Sequence, residues 1–158
     1  MAILLKESKL LDKSIIYATD INPTALSVAR AGIYALAQMQ KYSENYVAAG
    51  GAEDFSSYYT AQYDMVKMDT ALTKRIVYAT HNLATDSSFN EFQLIICRNV
   101  LIYFNQTLQD RVFHLFDDSL ESLGFIGLGS KESIRFSTVA ASYQQITGKD
   151  KIWRKGKK

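Results

Sequence analysis

The sequence predicts an α/β protein, because apolar segments of strand length alternate with amphipathic segments of helical spacing. Residues 94–97 form an unbroken apolar run, which is typical of a strand buried on both faces of a parallel sheet. Residues 14–20 form a second such segment, and the helix-start pair Asn22-Pro23 follows it directly. Two short segments around 147–150 predict a closing antiparallel hairpin, which gives the sheet a mixed edge.

Three helices are predicted in the first third of the chain. Residues 1–11 have helical spacing with no capping residue before them, so the chain is expected to begin inside a helix. Residues 24–31 form the second helix, which Gly32 ends. Residues 33–49 carry apolar and tyrosine side chains at three- and four-residue steps, which predicts a third helix.

A small antiparallel pair of strands is predicted next, at residues 63–68 and 75–80, joined through residues 69–74. Together with the loop before it, the pair forms a β-subdomain over residues 50–80 that is separate from the main sheet. An exposed sheet edge can accept a peptide as an added strand. The alternative, that the pair only covers its neighbours, is about as well supported.

The second half of the chain supplies one long helix and the end of the sheet. Residues 105–123 are amphipathic, and Asn105 is a suitable N-cap. Gly124 is expected to end this helix, and residues 125–128 form a short strand. The arms of the terminal hairpin are the segments 142–146 and 151–155.

Composition describes an ordinary globular protein of one domain, with 158 residues, 47% apolar and 22% charged. Cys97 is the only cysteine, so no internal disulfide is possible, and a cytoplasmic location is expected. The most apolar N-terminal stretch, residues 2–5, is too short for a signal peptide or a membrane span.

The net charge of +2 conceals a basic end. From Lys149 onward, six Lys or Arg and one Asp give +5, which leaves −3 for the rest of the chain. A nucleic-acid groove needs basic residues spread over one face, so nucleic-acid binding is not expected. The tail is interpreted as a solvated end, with docking on an acidic partner as the minor alternative.

Polar side chains that can bind a ligand cluster where predicted strands end. They are Asp20, Asn82, Arg98, Asn99 and Tyr103. Ligands of open α/β sheets bind at the carboxyl ends of strands, and an acid there can accept hydrogen bonds from ribose hydroxyls. The alternative for Asp20 is that it only supports the turn before the helix.

Other chemistries lack the residues that they need. His81 and His114 are far apart in the sequence, so metal catalysis is not expected. Cys97 is predicted to be buried, which argues against a nucleophilic thiolate. Neither a G-x-S-x-G motif nor a Walker pattern occurs. The strand ends therefore indicate a nucleoside-like ligand without an obvious acid–base pair.

Four strings carry a close resemblance to the CheR-type methyltransferases: IIYATDIN, THNL, FQLIICRNVLIYFNQTLQDRV and FIGLGSKES. The resemblance implies a partial domain over residues 1–158 with a Rossmann-like class I methyltransferase sheet, a small antiparallel β-subdomain insertion and a C-terminal antiparallel hairpin. It also implies methyl transfer from S-adenosyl-L-methionine to glutamate side chains of bacterial chemoreceptors, with S-adenosyl-L-homocysteine as the product.

The resemblance also implies roles for single residues. Asp20 matches the acid that holds the cofactor's ribose. Asn82 and Leu83 match the pair beside the adenine and its amino-linked end. Arg98 and Asn99 match the pair that lines the cofactor pocket.

Tyr103 matches the tyrosine near the transferring methyl, which makes it the candidate catalytic residue. A glutamate side chain has a pKa of roughly 4.3 and is already an anion at neutral pH, so no general base is needed. The enzyme's task is then to align the nucleophile and the methyl group, and to remove water from the carboxylate. The alternative is a rim tyrosine anchored on Leu101 and Phe104.

The resemblance implies that the cytoplasmic domains of chemoreceptors are the protein substrate, without direct membrane insertion. In the family a strand and a Gly-rich turn precede a helix similar to AILLKE, so this chain is expected to lack its first strand. Two neighbouring strands would then keep unpaired edges, and a homo-oligomer, strand exchange or a partner chain could cover them. Some members dock on a receptor tail through the β-subdomain, but residues 69–74 contain no glycine, which argues against docking here.

Two other functions stay open at this point. The first is a non-catalytic signalling or protein-interaction module that retains the methyltransferase fold. The second is another nucleotide-binding α/β domain, which a preference for NAD over S-adenosyl-L-homocysteine would support.

Overall fold

The computed structural model describes residues 1–147 and 150–157, and the chain divides into two compact units, residues 1–81 and residues 82–158. Within the described ranges, none of the helices has the length and apolar character that crossing a membrane requires.

The N-terminal unit contains a parallel strand pair and a small antiparallel sheet. Its helices and strands in chain order are α1 (Ala2–Glu7), β1 (Ile16–Asp20), α2 (Pro23–Ala31), β2 (Ile33–Ala35), α3 (Met39–Ala48), β3 (Tyr59–Gln62), β4 (Met65–Met68), α4 (Thr70–Thr73) and β5 (Ile76–Thr80). Short 3-10 helices occupy Leu11–Lys13, Leu36–Gln38 and Phe55–Tyr58.

The predicted step from β1 into α2 is confirmed. The Asn22 side chain accepts hydrogen bonds from the backbone N–H of Thr24 and Ala25 at 2.9 and 3.4 Å, and Pro23 occupies the first helical turn. Gly32 ends the helix with φ of 63°, a left-handed conformation that glycine adopts without steric cost. The start and end of this helix are therefore set by local sequence alone.

The predicted helix over residues 33–49 is wrong in its first part. After the turn at Gly32, β2 pairs antiparallel with β4 in the register Ile33↔Lys67 to Ala35↔Met65. This pairing satisfies the backbone hydrogen bonds of the segment in an extended conformation, so a helix cannot form there. The α-helix α3 begins only at Met39.

The predicted pairing of residues 63–68 with 75–80 is also wrong. β5 pairs in parallel with β1, while β4 lies between β2 and β3 in an antiparallel sheet. The expected joining loop contains α4, whose first turn is capped by the Asp69 carboxylate at 2.9 Å from the Ala71 N–H. A small antiparallel sheet is therefore present, but its strands lie within residues 33–68. The interval 50–80 as a separate domain stays a prediction.

The core of the N-terminal unit lies between the small helices and the antiparallel sheet. Its buried side chains are Leu11, Met39, Phe55, Tyr58, Val66 and Leu72. The Glu7 carboxylate at the end of α1 accepts hydrogen bonds from the hydroxyls of Tyr46 and Tyr58. These bonds attach a six-residue helix, too short to be stable alone, to the rest of its unit.

The C-terminal unit is built on one mixed sheet with the strand order β6-β7-β9-β8. Its helices and strands are β6 (Phe92–Cys97), α5 (Gln106–Ser119), β7 (Leu120–Leu128), β8 (Tyr143–Gln145) and β9 (Ile152–Lys155). Short 3-10 helices occupy Leu101–Tyr103, Ile134–Phe136 and Ala140–Ser142. β6 and β7 are parallel, and the other two pairs are antiparallel, which confirms the mixed sheet and both arms of the terminal hairpin. The turn predicted at 147–150 falls partly on residues 148 and 149, outside the described residues.

The long helix is shorter than predicted, because the chain turns into a strand before the glycine. Asn105 caps α5 as expected, with its side chain accepting the Leu108 N–H at 2.9 Å. The helix ends at Ser119, and Leu120 already has extended backbone angles. Gly124 lies inside β7 and does not end the helix.

The prediction that the central strand is buried on both faces is wrong for the described chain. Cys97 on β6, Ile126 on β7 and Trp153 on β9 are buried in a core that also contains the apolar face of α5. Successive strand residues point to opposite faces. Leu94 and Ile96 therefore lie on the other face, where they are 45% and 51% exposed.

Candidate functional site

Asp20 is the last residue of β1 and is exposed at the strand end. Its Oδ1 accepts the backbone N–H of Asn22 at 2.8 Å, and Asn22 in turn caps α2. Asp20 therefore does support the turn, as the alternative interpretation held. Its Oδ2 accepts no hydrogen bond from any described residue, so the same carboxylate retains an acceptor for a ligand.

Asn82 and Leu83 open the C-terminal unit in a tight turn. The Asn82 side chain accepts the Ala84 N–H at 3.0 Å, and its backbone N–H donates to the Asp86 carboxylate at 2.9 Å. Both residues are partly buried, and Leu83 packs against the core of the unit. This turn fixes the direction of both side chains without help from a regular element.

Arg98 and Asn99 follow β6 directly, and both side chains are exposed. Asn99 has φ of 60°, in the left-handed region, which Asn tolerates better than most residues. The chain then enters the 3-10 helix whose first residue, Leu101, is only 1% exposed. Buried Leu101 and Cys97 therefore anchor the loop at both ends, while the two polar side chains point outward.

Glu132 accepts hydrogen bonds from the backbone of this loop, and the sequence analysis did not identify this residue. Its Oε1 accepts the backbone N–H of Val100 and Leu101, both at 2.8 Å. Its Oε2 accepts the N–H of Asn99 at 3.0 Å and of Gly129 at 2.6 Å. The sequence signal that could have identified Glu132 is an acid in the glycine-containing segment 129–132, which follows the predicted strand 125–128.

The close approach around Glu132 requires glycine at position 129. A Cβ atom there would lie 2.6 Å from Glu132 Oε2 and 2.7 Å from Asn99 Oδ1. It would also lie 2.9 Å from the Asn99 backbone nitrogen. Gly129 directly follows β7, so the carboxyl ends of two paired parallel strands, β6 and β7, meet at one carboxylate.

Tyr103 ends the 3-10 helix of this loop and is 81% exposed. Its backbone N–H donates to the Val100 carbonyl at 3.2 Å. Among the described residues, none binds its hydroxyl. The backbone of Tyr103 is thus fixed by the loop, while its ring and hydroxyl face solvent on the same loop as Arg98 and Asn99.

Cys97 is confirmed as a buried residue, 8% exposed. Burial, and to a smaller degree the charge of Glu132, raises the pKa of its thiol to about 12. The thiolate is therefore not available as a nucleophile near neutral pH. Within residues 1–147 and 150–157, no three His, Cys, Asp or Glu side chains are placed to hold a metal ion.

The structure thus brings Arg98, Asn99 and Tyr103 together on one loop of the C-terminal unit. Asn82 and Leu83 lie on another loop of that unit, which is attached to α5 by a hydrogen bond from Arg111 to the Thr85 carbonyl at 3.0 Å. Asp20 lies at a strand end of the N-terminal unit.

Comparison with known proteins gives one family and several relatives. Residues 1–151 match the family described as CheR methyltransferase, SAM binding domain. A putative methyltransferase Cher3 of Pseudomonas putida is 52% identical over 155 residues, covering 98% of this chain and 57% of that protein. The chemotaxis protein methyltransferase of Listeria innocua is 33% identical over 75% of this chain and 42% of its own length. Chemotaxis protein methyltransferase 1 of Vibrio cholerae is 31% identical, covering 82% of this chain and 45% of its own length. The chain therefore spans about half the length of these relatives.

Proposed function

Because this chain belongs to the CheR methyltransferase family, we propose that it binds S-adenosyl-L-methionine as part of a protein-glutamate O-methyltransferase. The family is a SAM-binding domain by description, and two of the relatives named above are chemotaxis methyltransferases. The proposed protein substrates are cytoplasmic domains of chemoreceptors, and the proposed location is the cytoplasm. The two parallel strand pairs, β1–β5 and β6–β7, are assigned to a Rossmann-like methyltransferase sheet.

The loop after β6 carries most of this proposal. Arg98 and Asn99 are exposed, and no described residue binds their side chains, while three consecutive backbone N–H groups of the loop donate hydrogen bonds to Glu132. A pre-formed ligand site needs a rigid loop at a strand end whose polar side chains are not bonded within the chain. The residues present therefore fit an adenosine-type ligand.

Roles for single residues are proposed from the family resemblance, together with the polar groups that stay free in the structure. Asp20 Oδ2 is proposed to accept hydrogen bonds from ribose hydroxyls, while Oδ1 keeps the turn into α2. Asn82 and Leu83 are proposed to contact the adenine and the amino-linked end. Arg98 and Asn99 are proposed to line the cofactor pocket.

Tyr103 is proposed to orient the reacting carboxylate. When bound, S-adenosyl-L-methionine supplies an electrophilic methyl group, and an ionised glutamate needs no proton removed before it attacks. The exposed Tyr103 hydroxyl can donate a hydrogen bond to one carboxylate oxygen and leave the other directed at the methyl group. Hydrogen bonding of this kind aligns the nucleophile without acid–base chemistry.

A homo-oligomer is a further part of the proposal. β6 is an edge strand of the sheet in the C-terminal unit, and edge strands present unpaired backbone groups. Pairing of this edge with a second chain would satisfy them. Sedimentation equilibrium tests this point, and a stable monomer at all concentrations would exclude it.

Calorimetric titration of the natural full-length protein with S-adenosyl-L-homocysteine tests the proposed function. Asp20→Asn keeps an acceptor for the Asn22 N–H but removes the charge, so we expect binding to weaken by about ten- to a hundred-fold. Asp54→Asn is the matched control, because Asp54 is another exposed acid that accepts an N–H two residues further along. Absence of binding by the unsubstituted protein would argue for a non-catalytic module. Equal affinities of all three proteins would exclude the proposed ribose role of Asp20.

A further inference from the structure

Glu132 is a buried carboxylate whose hydrogen-bonding capacity is used entirely inside the chain. It is 4% exposed, and each of its two oxygens accepts two backbone N–H groups. All four donors are backbone groups of the two loops that follow β6 and β7. No cationic side chain is bonded to it among the described residues. The partial positive charges of four amides therefore stabilise its negative charge.

The three donors from the first loop are consecutive, which makes Glu132 a determinant of loop shape. The N–H groups of Asn99, Val100 and Leu101 can converge on one carboxylate because Asn99 has φ of 60°. Consecutive N–H groups that include a left-handed residue form a concave anion site. Without the carboxylate, the buried N–H of Leu101 and the partly buried N–H groups of Asn99 and Val100 would lack these partners. Asn99 would also lose the interaction that offsets its unfavourable conformation.

We propose that Glu132 is a positioning residue that holds the loop of Arg98, Asn99 and Tyr103 in its ligand-binding conformation before the ligand arrives. This inference rests on the proposed function, because it assigns to Glu132 the pre-organisation of that same site. Glu132 acts only through the backbone, since its carboxylate faces the chain on both oxygens. Glu132 therefore affects ligand affinity through the fraction of time that the loop spends in its ligand-binding conformation.

Pre-organisation predicts a specific loss of affinity. If the loop adopted the competent shape only one-tenth of the time, the apparent dissociation constant would rise ten-fold. Glu132→Gln removes the charge and turns an NH₂ group toward two of the four donors, so we expect affinity for S-adenosyl-L-homocysteine to fall by about ten-fold or more. Glu132→Asp keeps the charge but shortens the reach, so we expect a smaller loss and a chain that still folds.

Two readouts separate positioning from general stability. Amide hydrogen exchange without ligand is expected to be accelerated more at residues 99–101 than in α5 in both Glu132 variants. Val112→Ala is the stability control, because Val112 is fully buried on α5 and is not itself a candidate residue. Well below its melting temperature, this variant is expected to keep the affinity of the unsubstituted protein.

The outcomes of this experiment are distinct. Unchanged exchange at residues 99–101 in Glu132→Asp, or unchanged affinity in that folded variant, would overturn the inference. If Val112→Ala lost as much affinity as Glu132→Asp, the effect of Glu132 would be one of general stability, and the inference would also be overturned. If the unsubstituted protein binds no S-adenosyl-L-homocysteine, the proposed function fails, and the exchange data still decide whether Glu132 sets the loop.

Discussion

Asp20 in the N-terminal unit and Glu132 in the C-terminal unit both lie near the ends of parallel strands, and their surroundings differ. Asp20, the last residue of β1, is exposed and uses one oxygen for an N–H two residues away. Glu132, four residues after the end of β7, is buried and uses both oxygens, three times for donors 31 to 33 residues away. The bonds that an acid already makes inside the chain thus indicate whether it can serve a ligand. Asp20 has an oxygen to spare, whereas Glu132 serves only the chain.

The same contrast appears among several other acids. In the N-terminal unit, Asp54 and Asp69 each cap a short helix through an N–H two residues away, both at 2.9 Å. In the C-terminal unit, Asp117 accepts the hydroxyl of Tyr143 at 2.9 Å and pairs with Lys155 at 3.1 Å. Glu7 and Asp86 depart from it, because Glu7 bonds to distant tyrosines and Asp86 to the nearby Asn82. Local caps can be replaced individually, while long-range acids connect whole segments.

Glu132→Gln is expected to give the largest loss of stability among the acids. Two N–H donors, one buried and one partly buried, would face an NH₂ group in place of a charged oxygen, at a cost of about 2–4 kcal/mol in the free energy of unfolding. Trp153 is the only tryptophan and is buried in the same unit, so its fluorescence during urea denaturation reports this unit. Glu91→Gln, at an exposed acid, is the control. If the free energy of unfolding fell by less than about 0.5 kcal/mol, the buried Glu132 would stabilise this unit no more than an exposed acid does.

Asp117→Asn is expected to have the next largest effect. The Lys155 ammonium is nearly buried and would keep only the carbonyls of Asp117 and Leu120, at 2.5 and 3.0 Å. Because Asp117 is partly exposed, we expect a loss of about 1–3 kcal/mol in the free energy of unfolding. The same fluorescence measurement applies, with the exposed Asp118→Asn as its matched control. Equal stability of the two variants would contradict a role for the pair.

Glu7 is expected to make the N-terminal unit sensitive to acid. Hydrogen bonds from Tyr46, and then from Tyr58, hold the pKa of its carboxyl below the usual value of 4.5. A lowered folded-state pKa gives stability that is present above about pH 4.5 and is lost as the pH falls through the folded-state value. Amide exchange in β4 at pH 6 and pH 3.5 measures this loss. Glu7→Gln should flatten the pH dependence, and Glu44→Gln should leave it as it was.

Asp20→Asn is expected to have the smallest effect on stability, in spite of its effect on binding. The asparagine oxygen can still accept the Asn22 N–H, and the site is exposed, so the change should be less than about 0.5 kcal/mol. Amide exchange in β1 of the free protein checks this value. A substantial loss of protection there would show that Asp20 is needed by the chain itself, and would weaken the contrast with Glu132.

Local signals in the sequence predicted the starts of α2 and α5 and the ends of β1 and β6. Asn22, Pro23 and Gly32 set the limits of α2, and Asn105 caps α5, because each acts on neighbours within a few residues. The candidate residues at the strand ends were also placed correctly along the chain. Their roles stay proposals.

Several of the errors share one physical cause, which is pairing with a distant segment. Residues 33–35 have helical periodicity but form a strand because β4, thirty residues away, offers partners for their backbone. β5 pairs with β1 and not with its neighbour β4 for the same reason. Glu132 could not be identified because three of its four donors lie on another strand's loop. Single-sequence reasoning has no access to such partners.

Lys155, the last residue of β9, has a practical consequence. Its side chain is 4% exposed and its amine is held by three oxygen atoms, so acylating reagents that modify surface lysines should not reach it while the unit is closed. Lys151 and Lys157 on either side are partly or fully exposed and should react at once. Timed acetylation followed by mass spectrometry would therefore report, through the modification of Lys155, the rate at which the terminal hairpin opens.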